Sequence, residues 1–562
     1  MEQKSADLKK LFDEKKYSEI IDIIQNKISE KDKNSGLLNL LGVCKLLKNS
    51  NEDSIKSAIN EFRKSYLKEK KTPNAYHALK NFINASVDLF DIEFRSNGKV
   101  LSENIFKEIF LYLDENKDYF EKNEGHANSI VRVFKRYLDL DKLIYYLNII
   151  VKLNENNTDA LCSLIYFNCF KSDWDQEKFL QNTRLLNKRL PLYSIDKLEE
   201  SQSVKEGKPI NLAFLSSDLR SKHSVTYFLK AVLQGSEKKN FNIFLYLNNQ
   251  KEDETTNEFK NLVFKSKNIS HLSDEDAINA IRLDKIDIII DLMGITSNHR
   301  LVLFKNRIAK KQLIWCGYCN TTGIDEMDYI ISDRNLILQN EEKLYSEKIL
   351  YMENIWNCHV GYEGERQFYD APMIKNKYIT FGSFNNFRKI NNNVINAWSS
   401  ILKKIDNAKL ILKASDIASV TKISKEFEKK GVLKMVEFQS HTKSLNDHLN
   451  KYKNIDIALD TFPYNGVTTS FEAIWMGVPV LTMKGFNFNS RCGESINKNL
   501  NLDELIAENE DDYIEKAISF TKDHKILNLR KFVYDNCMKS PLFDKNNFSK
   551  QFFSSLEKIY NQ

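Results

Sequence analysis

The sequence contains few of the residues that interrupt helices: 17 glycines and 7 prolines in 562 residues, with four glycines and two prolines among the first 200. No apolar run approaches the length of about 18 residues that a transmembrane helix needs. The first residues, MEQKSADLKKLF, lack the apolar core of a secretory signal. We therefore expect helices in the first part of the chain, no membrane insertion and a cytoplasmic location.

Cysteine is also scarce, and neither sign of charge dominates. Eight cysteines in so long a chain do not form the pattern of a disulfide framework. The chain has 83 basic and 77 acidic residues, a net charge of +6 that is nearly balanced over this length. Composition therefore gives no reason to expect a nucleic acid or a membrane surface as partner.

Two common nucleotide-binding motifs are missing. The first strand predicted in the second part of the chain lies in INLAFLSSDLRSKH, which ends at His223, and no G-x-G-x-x-G follows it. No Walker A sequence occurs either. A dinucleotide redox site of the usual kind is therefore disfavoured, and so is a P-loop NTPase.

Composition otherwise fits a soluble protein, with 42% apolar and 28% charged residues, and the length suggests three or four domains. Residues 1–205 have apolar positions at helical spacing, and they resemble tetratricopeptide repeats of roughly 34 residues. The pattern is Leu38-x-x-Leu41-Gly42, then Ala58-x-x-x-Phe62 and Pro73. The distance from Gly42 to Ala58 is about four residues longer than the repeat expects. We predict a degenerate helical-repeat domain, with an irregular helical bundle as the alternative.

From Pro209 onward, short apolar runs alternate with helical patterns. The predicted strands are Ile210–Ser216, Ile243–Leu247, Ile286–Leu292, Leu313–Trp315 and Ile330–Ile331, then Tyr378–Ser383, Lys409–Leu412, Val436–Phe438, Ile455–Leu459 and Val478–Met483. Two such series predict two doubly wound α/β domains, at 206–358 and 377–562, joined by a linker at 359–376. Ligands in such sheets bind at the carboxyl ends of the strands, so we expect an active site in the cleft between the domains.

The segment DIALDTFPYNGVTTSFEAIWMGVPVLTMKG, from Asp456 to Gly485, is the most informative part of the second series. It predicts a strand, a loop broken at Asn465-Gly466, a helix that begins near Thr468 and Thr469, and a second strand. A helix N-terminus with two threonines offers backbone N–H groups, hydroxyls and the positive end of a dipole. This arrangement is typical of a phosphate site.

Several motifs together resemble glycosyltransferase family 41, the O-linked N-acetylglucosamine transferase and SPINDLY-type group. They are Phe214–Asp218 with His223, Asp291–Thr296, Trp315–Tyr318 through Thr322-Gly323, Met327–Asp333, Phe384–Lys389, Asp456–Gly485 and Ser540–Phe543. They occur in the family's order over residues 208–560. The resemblance implies helical repeats followed by a two-domain GT-B fold, with the last helix packing back on the first catalytic domain.

On the nucleotide side, the resemblance implies that Lys389 contacts the diphosphate of a sugar nucleotide and replaces a metal ion. It also implies donor contacts from a further set, namely Asn386, His448, Asn465, Gly466, Thr468, Thr469 and Glu472. Glu472 matches the family's ribose-binding acid, although Thr469-Ser-Phe-Glu472 also reads as a capping box. Val467 stands where the family usually has a histidine or a small residue, so a histidine contact is lost there.

On the acceptor side, the resemblance implies catalytic roles for His223 and Asp284, with the identity of the base left open. A neutral imidazole at His223 suits proton removal. Gly317, Tyr318, Thr321 and Thr322 are expected to line the sugar pocket. Cys316-x-x-Cys319 has the spacing of a redox or zinc motif, but no second pair lies at useful spacing, and we read these cysteines as incidental.

The resulting expectation is a metal-independent, inverting protein glycosyltransferase. It would move N-acetylglucosamine from UDP-GlcNAc to Ser or Thr of an acceptor protein bound along the helical repeats. No cofactor is expected beyond the nucleotide sugar. The alternatives are a GDP-fucose or UDP-glucose enzyme of the same fold, transfer to Asn, or a non-catalytic repeat scaffold with an inactive GT-B domain. Neither the sugar nor the oligomeric state follows from the sequence.

Overall fold

The chain forms two compact units in a computed structural model that describes residues 2–97, 103–194, 208–235, 240–414, 417–440, 442, 444–521 and 525–562. One unit is Met1–Asn157 with Ala414–Ile423, and the other is Thr158–Lys413 with Ser424–Gln562. The second unit therefore begins about 50 residues before the predicted domain boundary at 205. Among the described helices, none is long and apolar enough to cross a membrane.

The first unit is helical, as predicted. Its helices are α1 (Glu2–Asp13), α2 (Tyr17–Asp22), α3 (Ser35–Lys48), α4 (Glu52–Lys68), α5 (Pro73–Asn97), α6 (Glu103–Glu115), α7 (Lys117–Lys122), α8 (Glu124–Tyr137) and α9 (Leu140–Leu153). Gly42 lets α3 and α4 approach closely, because a Cβ there would lie 2.5 Å from the Phe62 ring. The polar insertion after Lys48 forms the turn between these helices, and the Asn51 side chain caps α4 by accepting a hydrogen bond from Ser54 N.

The second unit contains two parallel sheets. The first has strands β1 (Ile210–Ser216), β2 (Phe241–Leu247), β3 (Lys265–Asn268), β4 (Ile288–Asp291), β5 (Lys311–Ile314), β6 (Tyr329–Ser332) and β7 (Lys348–Tyr351). The second has β8 (Thr380–Ser383), β9 (Lys409–Lys413), β10 (Val436–Gln439), β11 (Ile457–Leu459), β12 (Val480–Met483) and β13 (Ile506–Ala507). The predicted strands all occur, β1 with the predicted ends and the others with shifted ends, whereas β3, β7 and β13 were not predicted.

Both sheets have the doubly wound strand order. The first runs β3-β2-β1-β4-β5-β6-β7 and the second β10-β9-β8-β11-β12-β13. In each, the first strand in sequence is central and pairs on one side with the next strand and on the other with a later one. This reversal makes a crevice at the carboxyl ends of β1 and β4, and another at those of β8 and β11.

Further helices precede, flank and follow these sheets. Before them lie α10 (Thr158–Asn168) and α11 (Gln176–Arg189). The others are α12 (Ser224–Leu233), α13 (Glu254–Asn261), α14 (Asp274–Leu283), α15 (Leu301–Lys305), α16 (Met373–Asn376), α17 (Asn392–Lys404), α18 (Ile417–Lys429), α19 (Leu445–Lys451), α20 (Thr468–Trp475), α21 (Phe488–Lys498), α22 (Glu510–Ser519), α23 (Lys525–Cys537) and α24 (Lys545–Tyr560). The last helix, α24, packs on α12, where Ser549 Oγ donates to Val232 O at 3.0 Å.

His359 lies where the two sheet domains meet. Its ring centroid is 4.7 Å from that of Tyr227 on α12 and 5.7 Å from that of Phe471 on α20. Its backbone N–H donates to Leu542 O at 2.8 Å, and its Nδ1 accepts from Gly361 N at 2.9 Å. The imidazole is fully buried, and burial lowers its pKa to about 3. The joint between the domains is therefore built around a neutral histidine.

We expect this histidine to make the second unit acid-labile. Its pKa is about 3 in the folded protein, and about 6.5 in an unfolded chain. The unfolded chain binds a proton that the folded chain does not, so stability is present above pH ~6.5 and is lost as pH falls toward ~3. His359→Phe keeps an aromatic ring and removes the titration. Urea unfolding between pH 7 and 4 should show a shallower loss of stability than in the parent, by up to about 1.4 kcal/mol per pH unit.

The matched control is His271→Phe, because His271 is exposed. That variant should keep the parent's dependence of unfolding free energy on pH. Equal slopes for the parent and His359→Phe would show that His359 does not control the acid response.

Candidate active site

A cavity of about 470 Å³ opens at the carboxyl ends of the strands of both sheets. From the first sheet, the loops after β1, β4 and β5 contribute Asp218, His223, Thr296, Asn298, Cys316, Gly317 and Cys319. From the second sheet, the loops after β8 and β11 contribute Asn385, Asn386, Lys389, Tyr464, Val467, Thr468 and Thr469. Tyr166 of α10 also lines it. The cavity thus joins the switch-point crevices of the two sheets.

A buried carboxylate, Asp460, organises the loop that follows β11. Its Oδ1 accepts from the backbone N–H groups of Thr461 at 2.9 Å and Gly466 at 2.7 Å, and from Asn385 Nδ2 at 3.1 Å. Its Oδ2 accepts from Thr482 Oγ1 at 2.9 Å. Burial raises the pKa of Asp460 to about 6, and these donors oppose that rise. One side chain therefore fastens the loop to two neighbouring strand ends.

The loop fixed by Asp460 places a backbone carbonyl against Lys389. Lys389 Nζ donates to Asn465 O at 2.6 Å and lies 4.7 Å from the centroid of the Tyr464 ring. The side chain is half-buried, and burial lowers its pKa while the nearby Asp460 carboxylate raises it. Lys389 thus presents a held positive charge at the cavity wall.

Helix α20 begins at Thr468, immediately after the loop. Val467 precedes it with φ −120° and ψ −79°, and in the described structure no side chain caps this end. The alternative reading of Thr469–Glu472 as a capping box is wrong: Thr469 Oγ1 donates to Asn385 Oδ1 at 2.7 Å, and Glu472 contacts His448 instead. The first backbone N–H groups of α20 and the dipole of the helix therefore face the cavity without a side-chain acceptor.

Glu472 belongs to a buried network behind the start of α20. Its Oε2 lies 2.8 Å from His448 Nε2 and accepts from Tyr452 OH at 3.0 Å. His448 Nδ1 lies 2.9 Å from Lys413 Nζ. Because an ammonium can only donate, Nδ1 is the acceptor, and Nε2–H donates to Glu472. Tyr452 OH also reaches Thr469 O at 3.1 Å, so the network supports the first turn of α20.

His223 and Asp218 form a pair on the wall contributed by the first sheet. His223 precedes α12, and its Nε2 lies 3.4 Å from Asp218 Oδ1. The other nitrogen, Nδ1, is buried and has no hydrogen-bond partner in the described structure. Burial lowers the pKa of the His223 imidazole and raises the pKa of the Asp218 carboxyl, while their mutual attraction opposes both shifts. At neutral pH the imidazole is therefore uncharged and able to take up a proton.

Known proteins agree with this architecture. A family model described as Glycosyl transferase family 41 matches residues 190–363 and 362–552. The chain belongs to this family. An O-GlcNAc transferase mutant of Thermobaculum terrenum has the same fold, with a TM-score of 0.78 at 21% identity, over 94% of this chain and 98% of that chain.

Two curated plant relatives match about three fifths of the chain. Probable UDP-N-acetylglucosamine–peptide N-acetylglucosaminyltransferase SPINDLY of Solanum lycopersicum is 32% identical over 368 residues, 63% of this chain and 38% of that protein. The Arabidopsis thaliana protein named probable UDP-N-acetylglucosamine–peptide N-acetylglucosaminyltransferase SEC is 25% identical over 366 residues, 63% of this chain and 37% of that protein. The chain thus spans less than two fifths of the length of these relatives.

The cavity is not lined by every residue that the sequence suggested. Gly317 lines the cavity, and a Cβ there would lie 1.9 Å from Leu292 O, so only glycine fits. Tyr318, Thr321 and Thr322 are buried and do not line the cavity in the described part of the chain, which corrects the predicted sugar pocket. The two threonine hydroxyls donate instead to the buried Glu347 carboxylate.

Asp284 also lies away from the cavity, which corrects its predicted catalytic role. It follows α14, and its backbone carbonyl is 3.4 Å from Asn211 Nδ2 at the start of β1. This is the amino edge of the sheet, opposite the cavity. Its carboxylate accepts from Tyr246 OH at 2.8 Å and pairs with Lys265. The position of Asp284 before a strand does not indicate that its carboxylate contacts Tyr246 and Lys265.

Of the remaining residues predicted on the nucleotide side, some line the cavity and others support the loop after β11. Asn386 is exposed at the cavity, and its side chain accepts from Arg388 N at 3.0 Å. Asn465 is fully buried: its Nδ2 donates to Thr461 O and its Oδ1 accepts from Gly493 N, so its side chain supports the loop. Gly466 leaves room for the Asn385 carbonyl oxygen, 2.7 Å from where a Cβ would lie.

Sequence reasoning missed Asp218, Asn385, Asp460, Tyr464 and Tyr166. Asp218 and Asp460 each follow a central strand at a switch point, and that position was a usable signal. No feature of the sequence pointed to Tyr166, because it lies on a helix before the sheets. All eight cysteines, including Cys316 and Cys319, are free thiols. Within the described residues, no three His, Cys, Asp or Glu side chains are arranged to hold a metal ion.

We expect Asp460→Ala to loosen the loop and the start of α20. The change removes the acceptor of two backbone N–H groups, an amide and a hydroxyl, and leaving such buried donors unpaired costs about 3 kcal/mol or more. Thermal unfolding should show a lower midpoint. Asp406→Ala, at an exposed carboxylate, is the control and should match the parent. A midpoint for Asp460→Ala equal to that of the control would refute this role.

Proposed function

We propose that this chain is a protein glycosyltransferase that moves N-acetylglucosamine from UDP-GlcNAc to a Ser or Thr hydroxyl of an acceptor polypeptide. One observation carries the proposal: the Lys389 ammonium and the uncapped start of α20 meet at a cavity whose other wall holds a neutral His223. Positive charge for a diphosphate and a proton acceptor are thus available on two walls of one cavity. The names of the curated relatives support the choice of donor and acceptor.

In the proposed reaction the acceptor oxygen attacks the anomeric carbon from the face opposite the diphosphate. The bond between this carbon and the diphosphate breaks, and its electron pair leaves with the nucleoside diphosphate. Lys389 and the N–H groups of Thr468 and Thr469 stabilise the added negative charge, so we propose that no metal ion is needed. His223 takes the hydroxyl proton, and Asp218 stabilises the imidazolium that results. The configuration of the sugar inverts.

The helical unit has a separate role in this proposal. Tandem helical pairs form extended surfaces that bind peptides in many repeat proteins. We therefore assign the acceptor polypeptide to the helical unit and the nucleotide sugar to the second sheet domain. GDP-fucose and UDP-glucose are the competing donors, and an asparagine amide is the competing acceptor.

The test is a donor screen with the purified full chain. UDP-GlcNAc, UDP-glucose and GDP-fucose are each incubated with candidate acceptor proteins with and without EDTA, and intact mass reports the sugar added. We expect addition of N-acetylhexosamine at a rate that EDTA does not change. Lys389→Met should lower this rate by about 10²–10³-fold, because the leaving diphosphate loses its cation.

Lys404→Met is the matched control, since Lys404 is exposed on α17, and it should keep the parent rate. Transfer of a different sugar would reassign the donor. Lack of transfer, together with no binding of any nucleoside diphosphate, would reject the enzyme and favour an inactive scaffold.

His223 generates a second expectation, about pH. His223→Ala should lower kcat by about 10²–10⁴-fold and leave donor affinity nearly unchanged, because the imidazole acts on the acceptor proton. Activity of the parent should fall as pH drops through the lowered pKa of His223. Asp218→Asn removes a carboxylate that raises this pKa, so the acidic limb of the rate profile should move to lower pH.

His271→Ala, at an exposed imidazole, controls for loss of a histidine and should leave the profile unchanged. A shift of the acidic limb to higher pH in Asp218→Asn, or full activity in His223→Ala, would remove His223 from the mechanism.

A further inference from the structure

The Tyr464 ring lies between the cation of the site and an aromatic residue from outside the sheets. On one side, Lys389 Nζ lies 4.7 Å from its centroid. Phe170, which follows α10, stacks on it with centroids 4.4 Å apart and planes 16° apart. Because the stacked Phe170 ring covers one face of the Tyr464 ring, the Lys389 ammonium contacts the other face. Tyr166 of α10 adds an edge contact to the same ring at 6.4 Å.

The groups around Lys389 explain why its ammonium needs the support of the Tyr464 ring. Asp460 lies behind the loop, the Cys319 and Cys492 thiols lie nearby, and Asp218, Arg220 and His223 lie across the cavity. Burial raises the pKa of the Cys492 thiol well above its usual range, so that group stays neutral. Burial also lowers the pKa of Lys389 itself. The site must therefore stabilise an ammonium that its surroundings tend to deprotonate.

A ring face suits this task better than a second carboxylate. An aromatic face attracts a cation through its quadrupole and carries no net charge. A carboxylate in contact with the ammonium would compete with an incoming diphosphate for the same N–H groups. The Asn465 carbonyl takes one N–H group at 2.6 Å, and the ring face stabilises the charge while leaving donors for an anion.

We propose that Tyr464 is a positioning residue that holds the Lys389 ammonium at the diphosphate position, and that Phe170 fixes the Tyr464 ring from behind. The proposal rests on the proposed function for its ligand, a nucleoside diphosphate. It also makes the segment after α10 part of the donor site, although this segment lies about 200 residues before the sheet that carries Lys389.

The experiment compares Tyr464→Leu, which removes the ring, with Tyr464→Phe, which keeps it. UDP and GDP affinity is measured by calorimetry across pH. In the same proteins, the acylation rate of Lys389 by acetic anhydride is followed against pH by peptide mass spectrometry. This second readout needs no ligand. It reports the pH at which Lys389 loses its proton. A merely structural defect would not move that pH in one direction.

We expect Tyr464→Leu to weaken nucleoside diphosphate binding by about 3- to 30-fold, the range of a desolvated cation–π contact. The alkaline limb of binding and the acylation midpoint of Lys389 should both move to lower pH, because the charged form loses support. Tyr464→Phe should behave as the parent. Phe170→Leu should give a smaller shift in the same direction.

Tyr378→Leu is the matched control. Lys409 Nζ lies 4.7 Å from the Tyr378 ring centroid, the same spacing as at Lys389, but at the amino ends of β8 and β9 and therefore away from the cavity. This variant should change neither nucleotide affinity nor the titration of Lys389.

Three outcomes would overturn the proposal in whole or in part. The first is an unchanged Lys389 titration in Tyr464→Leu, and the second is a Tyr464→Phe variant as impaired as Tyr464→Leu. The third, a parent-like Phe170→Leu, would remove Phe170 from it. If the parent binds neither UDP nor GDP, the proposed function fails, while the acylation midpoint still decides the role of Tyr464.

Discussion

The candidate site depends on one buried carboxylate, Asp460. Its carboxylate oxygens accept hydrogen bonds from the loop after β11, from the end of β12 and from Asn385 after β8. They thereby hold these three segments together. The Asn465 carbonyl and the first turn of α20 adjoin this loop, whose Thr461 and Gly466 N–H groups both donate to Asp460. Burial raises the pKa of Asp460 to about 6, and hydrogen bonds from four donors oppose that cost of burial.

The first sheet uses the same device at the equivalent place. Asp291 ends β4, the strand that pairs with central β1 as β11 pairs with central β8. Its carboxylate accepts from Met293 N at 3.0 Å and Gly294 N at 2.9 Å, and burial raises its pKa to about 7. Gly294 has φ +58°, a conformation that suits glycine. In both domains an aspartate at the switch point thus turns the chain toward the cavity.

Local pattern predicted the central strands because their sequences are mainly apolar, as in β1 (INLAFLS) and β4 (IIID). It missed β3, whose sequence KSKN has no apolar residue, and β13, which has two residues at a sheet edge. Such strands form because a neighbouring strand supplies hydrogen-bond partners. The repeat pattern around Gly42 was recognised for a different reason. Close helix packing there leaves no room for a side chain, so glycine stands at that position.

Predictions about the site failed where a side chain had competing partners at long range. The Thr321 and Thr322 hydroxyls bind Glu347, and the Asp284 carboxylate binds Tyr246. Nothing in the local sequence names those partners. Lys389, Asn386 and the threonines of α20 line the cavity. They were named from whole motifs of the family, and a motif carries the tertiary context that a single residue lacks.

The start of α20 shows how tertiary structure can leave the first N–H groups of a helix without a side-chain cap. In isolation, Glu472 would reach back to cap the helix and satisfy one of its first N–H groups. Instead His448, held in one tautomer by Lys413, donates to Glu472 together with Tyr452. Hydrogen bonds to an ionised carboxylate are strong, and these two hold Glu472 in the network behind the helix. The network thereby keeps the Glu472 carboxylate away from the helix start. The N–H groups of Ser470 and Phe471 donate to Val467 O, and those of Thr468 and Thr469 have no side-chain acceptor in the described structure.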